Sequence, residues 1–276
     1  MHRQIRDALF THLDGLAEQH GVVRASFRYS PLAPGFWSRQ GSKPNPLGRV
    51  GFLDISIATQ VIDLTKSSEQ LLREMRKGHR AAIIRGEALL QIELFDKTNI
   101  SPEVFEAYRM LHAKAAGRVT RPLATFEMMH AWIREGTAAL CRARLQDTDI
   151  GFSLLSVYKD GAYYSSSCED PENNRLPIGH LLQWHAMEWL RRHGIRRYEI
   201  GHQFYGPVPH APATEKETLI SFFKRGFGGS AVVSWCAEKY YSDGYYLELA
   251  TERMNSYARS LAKRPCSDHS ATQAKS

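Results

Sequence analysis

The chain has 276 residues, of which 43% are hydrophobic and 24% are charged, a composition that excludes collagen, coiled coils and largely disordered chains. Lys and Arg outnumber Asp and Glu by 36 to 29, for a formal net charge of +7, which favours anionic partners such as nucleic acid, phosphorylated metabolites or a membrane surface. No apolar run approaches the roughly 20 residues of a membrane-spanning helix, so any membrane contact is expected to be peripheral. The polar N-terminus lacks the pattern of a signal peptide. Four widely spaced cysteines argue against a zinc ribbon or disulfide framework and favour a cytoplasmic location.

Apolar periodicity, caps and glycine stops divide the chain into helices and strands. Helices are predicted over residues 4–20, 67–85, 101–116, 126–135, 178–193, 215–225 and 251–261. Strands are predicted over residues 22–29, 89–95, 138–145, 150–159, 162–168, 197–200 and 231–240. A loop or linker is expected over 30–52, which is rich in Pro and Gly, and the tail from Ala262 is expected to be disordered. This order predicts an α/β fold with a mixed, largely antiparallel sheet flanked by helices.

Local signals indicate where several of these elements begin or turn. Ser67 opens a capping box for the helix that follows, and Ser101 is an N-cap followed by proline. Thr125 is expected to cap the next helix. Asp160 and Gly161 form a dipeptide typical of a hairpin turn.

The segment 221–229, Ser-Phe-Phe-Lys-Arg-Gly-Phe-Gly-Gly, combines cations, aromatic rings and glycines. Glycines let the backbone approach a ligand closely, and Lys224 could neutralise an oxyanion or a phosphate. The alternative is purely structural: Lys and Arg stabilise the negative end of a helix that a glycine then terminates.

Two further segments could carry chemistry. Residues 198–206 form a strand that enters a polar and aromatic turn, where ligands of α/β folds collect, and His202 could move a proton there. Residues 173–180 precede a helix whose free N–H groups could bind an anion together with Arg175. A structural histidine and an exposed polar loop are the respective alternatives, and the basic helix over 73–85 is typical of a solvated face.

Several well-known catalytic motifs are missing from the sequence. It contains no Walker loop, G-x-G-x-x-G, H-E-x-x-H or G-x-S-x-G pattern, and no known spacing of metal ligands occurs. No metal site is predicted.

Five segments, taken in order, resemble the Fem-type (FemABX) aminoacyl-transferase family of the acetyltransferase-like (GNAT-fold) superfamily. They are residues 63–69, 75–80, 179–194, 198–201 and 223–229, and the last is the most specific. The resemblance covers about residues 60–240. It divides the chain into a remnant of a first GNAT-like domain with a linker (1–59), a transferase domain (60–250), and a C-terminal helix and tail (251–276).

The resemblance implies transfer of an aminoacyl group from aminoacyl-tRNA to an amine of a cell-wall (peptidoglycan) precursor, with no cofactor. By position, Lys224 resembles the family lysine that stabilises the tetrahedral oxyanion, with Phe223 beside it. Glu199 or His202 could serve as the base, and the sequence does not choose between them. The predicted substrate-binding positions are Arg175, which resembles an arginine that meets the acceptor's phosphates, and Gly179, Gly201, Tyr205 and Arg80.

Two other functions stay open at this stage. An acyl-CoA-dependent N-acyltransferase of polysaccharide or natural-product biosynthesis is expected to carry an Arg/Gln-x-x-Gly-x-Gly/Ala loop before a helix, which holds the pyrophosphate. Here Pro177 and Ile178 precede Gly179, so the glycines are misplaced. A non-catalytic binding module that uses its basic helix is the second alternative, because a fold alone does not fix function.

Overall fold

The computed structural model of the protein describes residues 2–33, 44–206, 208 and 210–262. The helices are α1 (His2–Gln19), α2 (Ser68–Glu74), α3 (Lys77–Glu87), α4 (Pro102–Ala116), α5 (Leu123–Arg134), α6 (Ile178–Arg192), α7 (Glu215–Arg225) and α8 (Asp243–Ala262). The strands are β1 (Arg24–Arg28), β2 (Leu53–Asp54), β3 (Ile57–Asp63), β4 (Gln91–Phe95), β5 (Ala138–Leu145), β6 (Thr148–Tyr158), β7 (Gly161–Glu169), β8 (Arg197–Gln203), β9 (Ser230–Ser234) and β10 (Cys236–Tyr240).

A seven-stranded sheet in the order β4-β5-β6-β7-β8-β3-β9 forms the centre of the fold. Neighbouring strands are antiparallel except β7 and β8, which run parallel. A second, three-stranded sheet has the order β1-β10-β2. The predicted mixed and largely antiparallel α/β fold is confirmed.

Helices cover both faces of the large sheet because its strands alternate apolar side chains between two cores. On β5, Ala138 and Leu140 belong to the apolar cluster that includes residues of α4 and α5. Cys141 and Ala143, on the opposite face, belong to the cluster that includes residues of α3 and α6. This period of two is what a strand buried on both faces requires.

The parallel strands β7 and β8 separate after a short pairing. They pair at Gly161–Arg197, Ala162–Tyr198 and Tyr163–Glu199 only, and each then continues without the other. We call the opening between residues 164–169 of β7 and 200–203 of β8 the splay. The carboxyl ends of parallel strands are the usual place for ligands in open α/β sheets, so the splay is where a substrate site is expected.

Helix α4 has both of its predicted ends. The Ser101 hydroxyl accepts a hydrogen bond from the Val104 N–H, Pro102 occupies the first turn, and Gly117 ends the helix with a φ of +66°. The Ser101 hydroxyl satisfies an N–H that has no partner within the helix, and Gly117 permits the left-handed backbone conformation at the helix end.

The single helix predicted over 67–85 is wrong, because it is two helices. Met75 and Arg76 are extended between α2 and α3. The Arg76 N–H donates to the carbonyl of Gly226, at 2.8 Å, rather than continuing the helix. Arg80 then donates to the carbonyls of Arg73 and Met75, at 3.2 and 2.7 Å. Contacts distant in sequence therefore create the break.

Two local predictions are displaced by a few residues. Helix α5 begins at Leu123 after Pro122, so Thr125 lies within the first turn instead of capping it. The β6–β7 turn consists of Lys159 and Asp160, with Lys159 at a φ of +54°, because Gly161 already pairs with Tyr158.

The predicted last strand and last helix also differ from the structure. Residues 231–240 form two strands, β9 and β10, which belong to different sheets. The chain changes sheet at Trp235, between Ser234 and Cys236. Helix α8 begins at Asp243 rather than Thr251.

The N-terminal segment packs against β10 through a small aromatic core. Phe10 of α1, Phe27 of β1 and Phe52 lie edge to face, with ring centroids 5.4 to 5.8 Å apart, a favourable geometry for aromatic pairs. Strands β1 and β2 both pair with β10. The division of the chain at residue 59 stays a prediction. Residues 34–43 of the expected linker and residues 263–276 of the tail lie outside the described residues.

Candidate active site

Lys224 lies at the splay between β7 and β8. It belongs to the last turn of α7, whose start is fixed by a capping box between Thr214 and Glu217. The Lys224 Nζ is 5.7 Å from the centre of the Tyr164 ring on β7. On β8 it lies against Gly201, where a Cβ atom would come within 2.7 Å of Nζ. Helix α7 thus places the Lys224 ammonium between β7 and β8.

Glu199 supplies a buried carboxylate beside this lysine. Its side chain is 3% exposed, forms an ion pair with Arg28 of β1, and accepts a hydrogen bond of 2.8 Å from the Thr59 hydroxyl of β3. Burial raises the pKa of Glu199, while the charge of Arg28, the Thr59 hydroxyl and the charge of Lys224 oppose the rise. Burial disfavours an ionised carboxyl, and nearby cations favour it.

Burial and a neighbouring charge also shift the pKa of Lys224, each in the opposite direction to its effect on Glu199. Burial lowers the pKa of its ammonium, and the charge of Glu199 counteracts this. Among the described residues no carboxylate lies within 4.0 Å of the ammonium. Glu199 therefore favours the charged form of the lysine, whose donors remain available to an anionic group at the splay.

His202 lies on β8 opposite Thr59 of β3. Its Nε2 atom is buried and has no hydrogen-bond partner among the described residues. Burial, followed by the charges of Arg28 and Lys224, lowers the pKa of His202 to about 4. Burial raises the pKa of Glu199, so the directions of the two pKa shifts favour Glu199 over His202 as a base.

Phe223, the residue before Lys224, belongs to a cluster of aromatic rings. The ring of Phe223 lies 5.4 Å from His79, 4.9 Å from His180 and 5.1 Å from Phe227. Its carbonyl is hydrogen-bonded to His79 Nε2 at 2.9 Å. Gly226 is required here, because a Cβ atom would lie 2.1 Å from the His79 ring. Phe223 therefore anchors the end of α7 that carries Lys224.

Gly179 lies in the first turn of α6, where the chain's own carboxylate occupies the helix start. The Glu169 carboxylate lies against this turn, where burial raises its pKa and the Gly179 backbone opposes the rise. A Cβ atom at Gly179 would lie 2.5 Å from Glu169 Oε1. The preceding Pro177 has no N–H to offer. The helix start that a sequence pattern assigns to an anion thus already has the Glu169 carboxylate next to it.

The structure brings Lys224, Glu199, Gly201 and His202 together and leaves other predicted residues apart. Arg175 is exposed in the loop before α6. Tyr205 is 63% exposed, and its ring stacks under Arg225 at 4.7 Å. Substrate roles for these two residues, as for Gly179, stay predictions.

One guanidinium nitrogen of Arg80 donates hydrogen bonds to carbonyls at the end of α2. Removing the Arg80 side chain is therefore expected to lower the stability of the protein. The Arg80→Ala variant loses donors to the carbonyls of Arg73 and Met75, so we expect stability to fall by about 1–2 kcal/mol. Urea unfolding measures this loss. The control Arg73→Ala removes only an exposed pair with Glu69 and should change stability by less than about 0.5 kcal/mol. Unchanged stability with weakened substrate binding would instead favour the predicted binding role of Arg80.

Sequence reasoning missed Arg28, Thr59, Tyr164 and Glu169. Arg28 and Glu199 are separated by 171 positions, and no local pattern connects them. The one available signal was a charged residue closing a short strand. The histidines of the ring cluster, His79 and His180, lie within segments that carried the family resemblance, but their packing against Phe223 could not be read from spacing.

The described part of the chain offers neither a metal cluster nor a membrane span. Across residues 2–33, 44–206, 208 and 210–262, no group of three or more His, Cys, Asp or Glu side chains could hold a metal ion. Over the same ranges no helix has the length and apolarity needed to cross a bilayer. The expectation that no cofactor is required stays a prediction.

Several solved structures share this fold. The chain resembles the structure titled FemX at 14% identity, with a TM-score of 0.62, over 88% of this chain and 78% of that one. It resembles L-PGS from Bacillus licheniformis at 12% identity, with a TM-score of 0.60, over 90% and 77% of the two chains. A putative lysylphosphatidylglycerol synthetase domain from Agrobacterium fabrum gives 14% identity and a TM-score of 0.58, over 91% and 77%.

These likenesses confirm the Fem-type resemblance at the level of the fold. No curated protein sequence matches the chain. The sequence profile of the acetyltransferase (GNAT) domain matches residues 69–207, which include the strands β7 and β8 that form the splay. The chain therefore belongs to the acetyltransferase (GNAT) domain family and is an acyltransferase.

Proposed function

We propose that the protein transfers an aminoacyl group from aminoacyl-tRNA to an amine of a cell-wall precursor or a related metabolite. The observation that carries the proposal is the Lys224 ammonium at the splay, with the buried Glu199 carboxylate beside it. An aminoacyl ester is already activated, so its aminolysis needs a held amine, a base and a cation for the oxyanion. The likeness to FemX and L-PGS supports this reading.

In the proposed reaction the acceptor nitrogen attacks the ester carbonyl, forming a C–N bond and a tetrahedral oxyanion. Lys224 stabilises that oxyanion by donating hydrogen bonds from its ammonium. Glu199 accepts the proton that the nitrogen loses, because burial raises the pKa of Glu199 and lowers that of His202. The C–O bond to the ribose then breaks, and the proton passes to the departing ribose oxygen. The products are an amide and uncharged tRNA.

The start of α6 argues against acyl-CoA as the donor. A pyrophosphate is usually held by free backbone N–H groups at a helix N-terminus. Here the Glu169 carboxylate already lies against Gly179, and Pro177 contributes no donor. A pyrophosphate at this position would meet a buried acidic group, which repels it. Acyl-CoA-dependent N-acylation therefore remains the second candidate, with the family profile in its favour.

Charge and exposure support a proposal for the acceptor and for where the reaction occurs. The net charge of +7 favours anionic substrates, and the exposed Arg175 is available to a phosphate on the acceptor. Both tRNA and nucleotide-linked precursors are cytoplasmic molecules, so we propose that the reaction occurs there.

The donor is tested by titrating the purified protein with charged tRNA and with acetyl-CoA at 50 and 200 mM salt. We expect charged tRNA to bind, with an affinity that falls at least about tenfold at the higher salt because phosphate contacts release counterions. Acetyl-CoA should not bind. Saturable acetyl-CoA binding without tRNA binding would make the thioester the donor and overturn the proposal.

A further inference from the structure

Arg28 reaches the active site from outside the transferase sheet. It closes β1, a strand of the three-stranded sheet, and pairs there with Cys236. Its guanidinium nevertheless forms an ion pair with Glu199 of β8, in the seven-stranded sheet. The N-terminal segment thereby supplies one of the charges next to the candidate base.

Three neighbours fix the orientation of this guanidinium. Its Nη2 contacts Glu199 Oε1, its Nε donates to the Ser234 hydroxyl at 2.9 Å, and its Cζ lies 5.7 Å from the centre of the Tyr163 ring. The Arg28 side chain is 33% exposed, whereas Glu199 is 3% exposed. An arginine held at both ends of its fork is a pre-organised partner for a buried carboxylate.

Glu199 is surrounded by groups from five elements. Those that act on it directly are Arg28 of β1, Thr59 of β3, Lys224 of α7 and Cys236 of β10, and His202, three residues further along β8, experiences the charges of the same Arg28 and Lys224. Only Arg28 and Thr59, among the residues described, contact the carboxylate directly, both at Oε1. With Oε1 bound on the β1 and β3 side, the second oxygen, Oε2, is left to serve the substrate amine.

We propose that Arg28 is a positioning residue of the transferase site, which acts through Glu199 by fixing its carboxylate beside Lys224. This inference rests on the proposed function, because it assigns Glu199 as the base. It also gives the N-terminal segment a part in the reaction. In agreement, the charge of Arg28 is the largest influence that opposes the effect of burial on the pKa of Glu199.

The test titrates Glu199 by NMR in full-length protein labelled with 13C at the glutamate carboxyl carbon, with Glu199→Gln identifying the signal. We expect Arg28→Ala to raise the Glu199 midpoint by about one pH unit or more, since a cation in contact lowers a carboxyl pKa by that much. Arg28→Lys keeps the charge without the fork and should give a smaller rise. It also serves as the test if Arg28→Ala does not fold.

Arg24→Ala is the matched control. Arg24 lies on the same strand, is 34% exposed, and contacts Glu238, which is 6% exposed, at 3.4 Å. We expect this variant to leave the Glu199 midpoint unchanged. An unchanged midpoint in both Arg28 variants, or an equal shift in Arg24→Ala, would overturn the assignment.

Transfer kinetics with charged tRNA provide the second readout. Arg28→Ala should lower kcat about tenfold or more, with KM for charged tRNA unchanged, and move the acidic limb of the pH–rate profile upward. A shifted Glu199 midpoint with unaltered kcat contradicts a positioning role. If the wild-type protein transfers no aminoacyl group, the donor proposal fails, and the Glu199 titration still decides whether Arg28 controls that carboxylate.

Discussion

The Lys224→Met variant should lose transfer by about 10²- to 10³-fold in kcat, because it removes a donor aimed at the developing oxyanion. Methionine keeps the length and apolar volume of the side chain against the Tyr164 ring but carries no charge. We expect KM for charged tRNA to change little, since the interaction forms mainly in the transition state. Single-turnover transfer to a nucleotide-linked peptidoglycan precursor with a free side-chain amine measures the loss.

The stability of the same variant distinguishes catalysis from structure. The ammonium costs desolvation and gains attraction to Glu199, and both effects vanish in Lys224→Met, so stability should change by about 1 kcal/mol or less. Lys216→Met, at an exposed position on the same helix, is the control and should retain full activity. A variant that unfolds, or one that remains active, would make Lys224 a structural helix-end residue.

The Gly201→Ala variant is expected to lose both stability and activity, for separable reasons. Gly201 has a φ of +98°, so any side chain costs about 1–3 kcal/mol there. The new methyl group would lie 2.7 Å from Lys224 Nζ. A lysine end is flexible and moves aside at little energetic cost, but it leaves the position from which it meets the oxyanion. We expect kcat to fall at least about tenfold, since small displacements in a site are costly.

Alanine variants at two other glycines distinguish the loss of stability from the displacement of Lys224. Gly194 has a φ of +77°, and a methyl group added there would have nothing within 4 Å, so Gly194→Ala should lose stability but keep kcat. Gly206 also has open space around it, and Gly206→Ala should change neither quantity appreciably. Thermal unfolding and transfer assays on the three variants check this pattern. Equal loss of kcat in Gly194→Ala and Gly201→Ala would mean that destabilisation alone explains the effect.

Helix ends set by local chemistry were predictable from the sequence. Ser101 with Pro102, and the capping box at Ser67, act on neighbours a few residues away, and the structure contains both. The helix break at Arg76 was not predictable, because its N–H bonds to Gly226, far along the chain. The same holds for β9 and β10, whose separation at Trp235 depends on which sheet each strand joins.

The candidate site was predictable in part. The family resemblance drew attention to Lys224 and Glu199, and the structure brings their charges into interaction. The choice between Glu199 and His202 as the base required burial and neighbouring charges, which spacing does not contain. Arg28 escaped notice because a charged residue on a strand reveals nothing about a partner 171 positions away.

We propose that Lys224 supports aminoacyl transfer from tRNA at the splay. The most direct measurement incubates wild-type protein and Lys224→Met with 14C-aminoacyl-tRNA and, separately, with 14C-acetyl-CoA, each with the same amine-bearing precursor. We predict labelled amide from aminoacyl-tRNA with the wild-type protein only, and none from acetyl-CoA. Labelled amide from acetyl-CoA alone, or equal product with Lys224→Met, would contradict the claim.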